Sequence, residues 1–382
     1  MSDKRRVKCG VLGCGVIANE VYLPTLREKA DLVATCDIVP ERAKRSMELW
    51  GAKEWYASLD EMLRKSDIEA VFVLTGMGMH AAHAAKAARA GKHVLIQKPL
   101  ATNMRDADVV YRAVKKAGVK ALVEPNVQQD PLYKKAKSIL EENAIGEVFW
   151  FRAGLGRGPP TWSEKTFFTK TAGGPLFDLG VYDIAALTFL LGPASKVSGF
   201  AKISIPERYI VPDEFFTEHL ARKPYEPFWS RLGAAKPSQK IRMGAEDNTL
   251  TLLNMKNGSI GCVVANFVTP DGLRRDVGNM PHIEIYGREG ALFIGGQAPL
   301  SVMTNKGDSR YHKPSGWYHV PREEIPAWNY YVASTEHFLD CIVNDREPIP
   351  NIEWGKHVSE IMIKSIQSAR TGRSLKLSST FH

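Results

Sequence analysis

The sequence predicts an α/β protein in two parts, a doubly wound parallel sheet followed by an α+β region on a mostly antiparallel sheet. In the first third of the chain, short apolar runs alternate with helical patterns, as in parallel sheets covered by helices. After Pro131 the pattern changes, and Asn257-Gly258, a hairpin signal, separates two later strand-like runs. A chain of 382 residues allows two or three domains, and we expect a division into 1–126 and 127–382.

The first part is predicted to contain five strands that alternate with helices. Gly91 and Gly118 follow the last two helices, where glycine commonly ends a helix. The predicted strands are residues 7–12, 32–37, 70–75, 93–97 and 120–123, and the predicted helices lie near 17–29, 41–50, 59–65, 80–90 and 104–117.

The second part combines helices with strands in which polar and apolar residues alternate. The predicted strands are residues 147–153, 196–204, 248–255, 259–267, 282–286 and 291–294, and the predicted helices lie near 132–142, 176–191, 330–343 and 353–370. We expect the last helix to pack back on the N-terminal domain.

Residues 205–244 have the composition of an insertion. Proline breaks regular elements, whereas aromatic side chains are usually buried. The segment contains Pro206, Pro212, Pro224, Pro227 and Pro237 among Tyr209, Phe215, Phe216, Tyr225, Phe228 and Trp229. Because long loops inside compact domains are usually functional or disordered, we expect an ordered lid or a subunit contact. A structural wrap around the second domain is the alternative.

Composition and charge narrow the class of protein. An apolar share of 44% is ordinary for a globular protein, and no apolar run approaches the ~18 residues that span a membrane. The net charge of +9 suits an anionic ligand. Lysine and arginine are spread along the chain without a nucleic-acid motif, so we expect neither a nucleic-acid nor a membrane partner.

The cysteines indicate a reducing compartment. The chain has five of them, at Cys9, Cys14, Cys36, Cys262 and Cys341, and they follow no disulfide or metal spacing. The basic N-terminus leads into the first strand rather than into a signal-peptide core. We therefore expect a cytoplasmic protein.

A glycine-rich turn follows the first strand, and it has the pattern Gly13-x-Gly15-x-x-Ala18. Gly13 allows a tight turn, Gly15 lets a pyrophosphate approach the backbone, and Ala18 lets the next helix pack closely. Val16 and Ile17 complete the turn, and the free N–H groups of the helix start attract phosphate. The pattern predicts a dinucleotide site, and a tight turn in another α/β domain is the alternative.

Asp37 ends the second predicted strand, 19 residues beyond Ala18, where a carboxylate that binds the ribose is expected. This carboxylate would repel the 2′-phosphate of NADP, so the sequence favours NAD. Arg42 and Lys44 on the next helix keep NADP open.

Two segments carry candidate catalytic residues. Lys98 follows a predicted strand within Gln97-Lys98-Pro99, where its ammonium could stabilise charge on a substrate oxygen. Asp178 and Tyr182 are four residues apart on a predicted helix, and a nearby ammonium would lower the pKa of the phenol from its usual ~10. The alternatives are a surface lysine and a capped amphipathic helix.

His80 and His83 lie at the start of a predicted helix, after Thr75 and its loop. No third ligand accompanies the two histidines, so we expect no metal site. His80 instead is predicted to shape the cofactor loop.

Taken in order, these residues resemble the Gfo/Idh/MocA oxidoreductases over nearly the whole chain. The resemblance rests on Gly13-x-Gly15-x-x-Ala18, Asp37 with Pro40-Glu41-Arg42-Ala43, His80, Ala90-Gly91-Lys92-His93-Val94, Lys98-Pro99, Asn126, Pro131, Gly146-Glu147, Gly173-Gly174 with Asp178-x-Gly180-x-Tyr182-Asp183, Ala245-Glu246-Asp247-Asn248, Tyr286-Gly287-x-x-Gly290 and Ala369-Arg370-Thr371-Gly372-Arg373.

The resemblance implies an N-terminal Rossmann domain that binds NAD or NADP, and a C-terminal domain whose large open sheet often forms dimers or tetramers. Most members oxidise or reduce a secondary alcohol of a sugar, cyclitol or polyol. The lysine of the family's E-K-P motif corresponds to Lys98, and the acid–base residue of its D-x-x-x-H motif corresponds to Tyr182. Thr75, His80, Gln97, Lys98 and Asn126 are then expected beside the cofactor, with Asp178 and Asn126 orienting the sugar.

The chain departs from the family pattern at several of these positions. Gln97 replaces the usual glutamate, Tyr182 replaces the usual histidine, and Thr75-Gly76-Met77 replaces T-P-N. Val127-Gln128 lacks the arginine that is common there.

Three functions follow from the sequence. The first is an NAD-dependent dehydrogenase or ketosugar reductase. The second is an enzyme that cleaves glycosides by transient oxidation and elimination, with an aglycone held by the aromatic insertion. The third is a sugar or dinucleotide sensor without catalytic activity.

Overall fold

The structure is a computed structural model that describes residues 5–212, 214–215, 218–219, 226–270, 281–296, 298–314 and 316–381. The described elements form two large sheets, one small two-stranded sheet and the helices that pack on them. No helix within these ranges is both long and apolar enough to cross a membrane.

The first sheet is parallel and has the order β3-β2-β1-β4-β5-β6. Its strands are β1 (Lys8–Leu12), β2 (Asp31–Cys36), β3 (Glu54–Tyr56), β4 (Ala70–Val73), β5 (His93–Ile96) and β6 (Ala121–Val123). The strand order reverses direction beside β1, and ligands bind at such switch points in open α/β sheets. The prediction of a doubly wound parallel sheet is confirmed.

The helices of this part are Leu23–Lys29, Pro40–Trp50, Leu59–Lys65, His80–Arg89 and Met104–Ala117. Two features differ from the prediction. The strand Glu54–Tyr56 was missed because it is a three-residue edge strand with no fully buried residue. The first helix does not begin as an α-helix, since Ala18–Tyr22 form a π-helical turn before it.

The second sheet has the order β16-β15-β14-β13-β7-β12-β11-β8-β17. Its strands are β7 (Val148–Gly156), β8 (Ala194–Lys202), β11 (Asn248–Met255), β12 (Ile260–Asn266), β13 (Pro281–Gly287), β14 (Gly290–Gly295), β15 (Leu300–Thr304), β16 (Trp317–His319) and β17 (Leu375–Lys376). Neighbouring strands are antiparallel except for β7 and β12, which are parallel. The expectation of a large, mostly antiparallel sheet is confirmed, and β15, β16 and β17 are additions to it.

The helices of the second part that lie wholly within the described residues are Pro131–Glu141, Glu164–Phe167, Val181–Leu191, Phe228–Ala234, Tyr330–Val343 and Ile352–Thr371. Val181–Leu191 and Ile352–Thr371 cover the inner face of the second sheet. Tyr330–Val343 returns to the parallel sheet, where Phe338 meets Phe72 edge-on at 5.7 Å. We propose the boundary between domains at 126/127, with this helix completing the N-terminal layer.

The helix Ile352–Thr371 contacts both sheets. It packs along β8, and its Gly355 lies so close to Val123 of β6 that a Cβ would come within 2.5 Å of the valine side chain. Lys356 and Glu353 pair with Asp108 and Lys115 of Met104–Ala117, at 2.8 and 2.7 Å. The helix therefore joins the last strand of the first sheet to the edge of the second.

Within the predicted insertion, β9 (Glu207–Ile210) and β10 (Gln239–Arg242) pair as a small antiparallel sheet. The helix Phe228–Ala234 lies between these two strands in the chain. Phe228 is fully buried, and its backbone N–H donates to Glu20 of the first helix at 3.0 Å. The segment thus contacts the N-terminal part of the molecule. Phe216 and Tyr225, named as aromatics of this segment, lie outside the described residues.

Candidate active site

The glycine turn lies at the carboxyl end of β1. Gly13 has a φ of +92°, and a Cβ there would lie 2.8 Å from the Leu74 carbonyl group, so only glycine fits. At Gly15 a Cβ would have no neighbour within 4 Å, which leaves the backbone open to a ligand. Ala18, the first residue of the π-helical turn, is fully buried, while Val16 and Ile17 are half-buried. The turn therefore has the shape that a pyrophosphate requires.

The Asp37 carboxylate is fixed beside this turn. Its Oδ2 accepts a hydrogen bond from the Cys14 N–H at 2.8 Å, and its Oδ1 accepts one from the Val39 N–H at 2.9 Å. The carboxylate is therefore held next to the turn by two backbone N–H groups. Arg42 is half-buried and Lys44 exposed on the following helix.

His80 joins the loops that follow β4 and β5. Its Nε2 lies 2.7 Å from the Thr75 carbonyl oxygen, and its Nδ1 lies 2.8 Å from the Pro99 carbonyl oxygen. Burial lowers the pKa of His80 to about 4, and the two carbonyl contacts oppose this because each of them accepts a ring N–H. His83 faces the Thr75 hydroxyl instead. The histidine thus fixes the loop that carries Lys98.

Lys98 reaches from this loop to the second part of the chain. Its Nζ donates to Asp178 Oδ1 at 2.7 Å and to the Asp178 carbonyl oxygen at 2.8 Å. Asp178 lies in Leu176–Gly180, a π-helical turn before Val181–Leu191, and such turns are frequent at functional sites. The structure therefore brings Lys98 and Asp178 together.

Arg157, at the end of β7, holds the other oxygen of the same carboxylate. Its guanidinium donates to Asp178 Oδ2 at 2.9 Å. Sequence reasoning missed this residue, because a lone arginine after a strand carries no motif. Arg157 also lies over the Trp162 ring, which meets Trp229 of the insertion at 5.2 Å. The carboxylate is thereby clamped between two cations and connected to an aromatic group.

Tyr182 completes the cluster, since its ring centroid lies 5.1 Å from Lys98 Nζ. The expectation of a lowered phenol pKa is wrong for this arrangement. Burial, followed by the charge of Asp178, raises the pKa of Tyr182, and the Arg157 charge and a hydrogen bond with Tyr331 only partly oppose this. Because the Lys98 ammonium is paired with Asp178, it does not offset burial. The phenol therefore holds its proton at neutral pH.

Asn126 and Gln97 lie behind Lys98 and are almost completely buried. Both side-chain amide atoms of Asn126 are buried and have no hydrogen-bond partner among the described residues. A buried polar group without a partner is costly, so this amide points to a bound polar ligand at the site. The open backbone at Gly15 and this unpaired amide both suit a bound dinucleotide.

Two family models match the chain. The model described as an oxidoreductase family with an NAD-binding Rossmann fold matches residues 7–124. The model of the GFO/IDH/MocA C-terminal domain matches residues 133–293.

Relatives of known activity align over almost the full length. The chain is 24% identical to D-apiose dehydrogenase of Paraburkholderia graminis, over 98% of this chain and 91% of the relative. It is 25% identical to scyllo-inositol 2-dehydrogenase (NAD(+)) of Bacillus subtilis, over 98% and 97%.

Solved structures share the fold. Levoglucosan dehydrogenase in complex with NADH superimposes with a TM-score of 0.78 at 21% identity, covering 98% of this chain and 100% of the other. The WlbA dehydrogenase from Bordetella pertussis, in complex with NADH and UDP-GlcNAcA, has a TM-score of 0.73 at 20% identity and covers 99% of each chain. With both family models, these matches show that the chain belongs to the Gfo/Idh/MocA oxidoreductase family and that its N-terminal domain is the NAD-binding Rossmann domain of that family.

Proposed function

We propose that the protein is an NAD-dependent oxidoreductase that transfers a hydride between nicotinamide and a secondary alcohol or ketone of a sugar, glycoside or cyclitol. The supporting observation is the convergence of Lys98, from the loop after β5, with Asp178 and Tyr182, from the turn and the helix that pack on the second sheet. The relatives that align over nearly the whole chain are sugar and cyclitol dehydrogenases by name.

The cofactor would lie along the carboxyl edge of the parallel sheet. Gly13, Gly15, Val16, Ile17 and Ala18 would hold its pyrophosphate, and Asp37 its adenosine ribose. Thr75, His80, Gln97, Lys98 and Asn126 would surround its nicotinamide half. When bound, the nicotinamide supplies or accepts the hydride. The fixed carboxylate of Asp37 favours NAD over NADP.

The chain's own residues would bind and protonate the substrate oxygen. The Lys98 ammonium can turn from Asp178 to that oxygen and stabilise negative charge on it. Tyr182, whose raised pKa keeps the phenol protonated, is poised to donate a proton to the oxygen of a ketone. In the opposite direction Tyr182 must first lose its proton, and its phenolate then takes the proton of the substrate hydroxyl, so the raised pKa favours reduction. Asp178 and Asn126 would hold neighbouring hydroxyl groups.

The experiment replaces Lys98→Met and Tyr182→Phe, and it follows nicotinamide absorbance with a panel that contains D-apiose, inositols and levoglucosan. We expect each variant to lose about a hundredfold or more in kcat, because a positioned acid or base contributes ~10²–10⁴. Lys86→Met, which removes an exposed lysine paired with Asp60, is the matched control. Full activity in both site variants would defeat the assignment, and NADH binding without turnover of any polyol would support a sensor.

Cleavage of glycosides by transient oxidation is the second candidate, and the aromatic contacts of Arg157 favour it. Arg157 connects the Asp178 carboxylate to Trp162 and Trp229, and aromatic faces can hold an apolar aglycone. Oxidation at a sugar carbon acidifies the neighbouring C–H, so that the aglycone can leave by elimination. Release of aglycone without net change in the nicotinamide would identify this reaction, and oxidised sugar with NADH in equal amounts would exclude it.

Assembly as a homodimer or homotetramer is proposed through the outer face of the second sheet. Trp150, Phe200, Leu252 and Ile260 lie on that face and are 38–66% exposed. A group of exposed apolar side chains commonly marks an interface. Light scattering should show an oligomer for the wild type and a monomer for Phe200→Glu, because the added charge would dissociate the interface.

The five cysteines are free, which supports a reducing cytoplasm.

A further inference from the structure

A buried chain of hydrogen bonds connects Lys98 to a carboxylate that no motif in the sequence indicates. The Lys98 N–H donates to Gln97 Oε1 at 2.9 Å, and Gln97 Nε2 donates to the Tyr22 hydroxyl at 2.9 Å. The Tyr22 hydroxyl in turn donates to Glu124 Oε1 at 3.2 Å. Gln97, Tyr22 and Glu124 are 8%, 0% and 2% exposed. The backbone of Lys98 is therefore connected to Glu124 by three hydrogen bonds, of which the two nearer to Glu124 are fully buried.

The other oxygen of Glu124 is bound from a different direction. Its Oε2 accepts from the Asn126 N–H at 2.8 Å and from the hydroxyl of Tyr330. Tyr330 belongs to the helix Tyr330–Val343, and its ring meets the Tyr182 ring edge-on at 6.5 Å. Glu124 thus joins the end of β6, the first helix and a C-terminal helix, behind both candidate catalytic side chains.

All of these donors point at Glu124. An ionised carboxylate only accepts hydrogen bonds, and donors that converge on it stabilise its charge. Burial raises the pKa of Glu124 overall, and the bonds from Tyr330, Asn126 and Tyr22 oppose this only in part. The carboxylate on which the donors behind Lys98 converge therefore directly follows β6 and is not at position 97.

The amide of Gln97 suits this arrangement in a way that a carboxylate would not. Gln97 accepts through Oε1 and donates through Nε2 at the same time, whereas an ionised glutamate could only accept. A glutamate at 97 would face the same Tyr22 hydroxyl that already gives its proton to Glu124. Two carboxylates that share one buried hydroxyl repel each other, and one of them must take up a proton.

We infer that Glu124 is the positioning carboxylate of the site, and that position 97 carries an amide because Glu124 holds the negative charge behind Lys98. This role depends on the function proposed above in one respect, because Lys98 is taken as the amine that contacts the substrate. It also gives a physical reason for the departure from the family's E-K-P pattern at Gln97.

The experiment compares the wild type, Gln97→Glu, Glu124→Gln and the double variant, and it needs neither substrate nor turnover. The first measurement is the Tm. The second is the pH dependence of acetylation of the Lys98 amine, followed by peptide mass spectrometry with the exposed Lys86 as internal reference. Asp178, Arg157, Tyr182, Tyr331 and His80 also face Lys98, and they are the same in all four proteins.

We expect Gln97→Glu to lower the Tm by about 5 °C and to raise the midpoint of Lys98 acetylation by about one pH unit. Glu124→Gln should lower that midpoint, since it removes a negative charge. The double variant should return both quantities close to wild type. Gln367→Glu, which adds the same charge on an exposed helix position, should change neither.

The inference would be overturned if Gln97→Glu lowered the Tm equally in the wild type and in the Glu124→Gln background. It would also be overturned if Glu124→Gln left the pH midpoint of Lys98 acetylation unchanged. If Glu124→Gln does not fold, comparison with Gln97→Met decides. Gln97→Glu must then be the less stable of the two and must alone raise the Lys98 midpoint. Because no sugar is used, a failure here is distinct from a failure of the proposed oxidoreductase function.

Discussion

Lys98 and Asp178 form an ion pair that connects the parallel sheet to the second part of the molecule. The two side chains are 14% and 6% exposed, and Nζ lies 2.7 Å from Oδ1. A buried pair of this kind differs from a surface pair, because removal of one charge leaves the other uncompensated.

Asp178→Asn should therefore destabilise the protein and lower kcat. We expect a loss of about 3 kcal/mol in the free energy of unfolding, in the range for broken buried pairs. The matched control is Asp60→Asn, which breaks the exposed Lys86–Asp60 pair and should cost less than ~1 kcal/mol. Urea unfolding measures both, and equal small losses would show that the buried pair is not a stabilising contact.

Arg157 should matter for substrate more than for cofactor, since it contacts Asp178 and Trp162 but none of the glycine turn. Arg157→Gln should raise KM for the sugar by about tenfold and leave the Kd for NADH within about twofold, since one charge-assisted hydrogen bond is worth ~1.5–3 kcal/mol. Arg157→Lys should restore part of the loss. Steady-state kinetics and NADH fluorescence titration separate the two effects, and a weakened NADH complex with normal KM would contradict this role.

Stability should fall on mild acidification because the buried His357 is neutral. Burial lowers the pKa of His357 to about 4, so between pH 6.5 and 4 the unfolded chain binds more protons than the folded one. Its contribution is present above pH 6.5 and is lost as the pH falls towards 4, by at most about 3 kcal/mol.

Urea unfolding between pH 7.5 and 4.5 tests this, and His357→Gln should flatten the pH dependence. The neutral ring of His357 accepts the Ala194 N–H at Nε2 and faces Ser379 through Nδ1, so both of its nitrogens have partners without a charge. A stability that stays constant down to pH 5 would contradict the buried neutral state.

Asp37 should set the preference for NAD over NADP. Asp37→Ser removes the carboxylate that would meet a 2′-phosphate, so the Kd for NADPH should fall by about tenfold or more. The Kd for NADH should rise, because the Cys14 and Val39 N–H groups lose their acceptor. Fluorescence titration with both nucleotides measures the change, and an unchanged ratio of the two Kd values would place the ribose elsewhere.

Much of the fold was predictable because local structure determines the spacing of apolar residues and the positions of glycines at helix ends and turns. The parallel strands were found within a few residues, since each is a buried run between polar segments. The three-residue strand Glu54–Tyr56 carries no such run and depends on its pairing with β2. The glycine turn was predictable because its requirement is steric, as the contact at Gly13 shows.

The electrostatics of the site were not predictable from the sequence. Spacing placed Asp178 and Tyr182 near each other, but not the Lys98–Asp178 pair that leaves the phenol with a raised pKa. Arg157 and Glu124 are single residues at strand ends, and their roles depend on contacts between segments distant in the chain.

The contact of Gly355 with Val123 has a consequence for the spacing of the reactive groups. The helix Ile352–Thr371 packs both on β6 of the nucleotide-binding domain and on β8 of the second sheet. This helix therefore sets the distance between the Lys98 amine and the Asp178 carboxylate, although it contributes no atom to either group. A methyl group at Gly355 would push the layers apart, and chemistry would suffer from a change made outside the cleft.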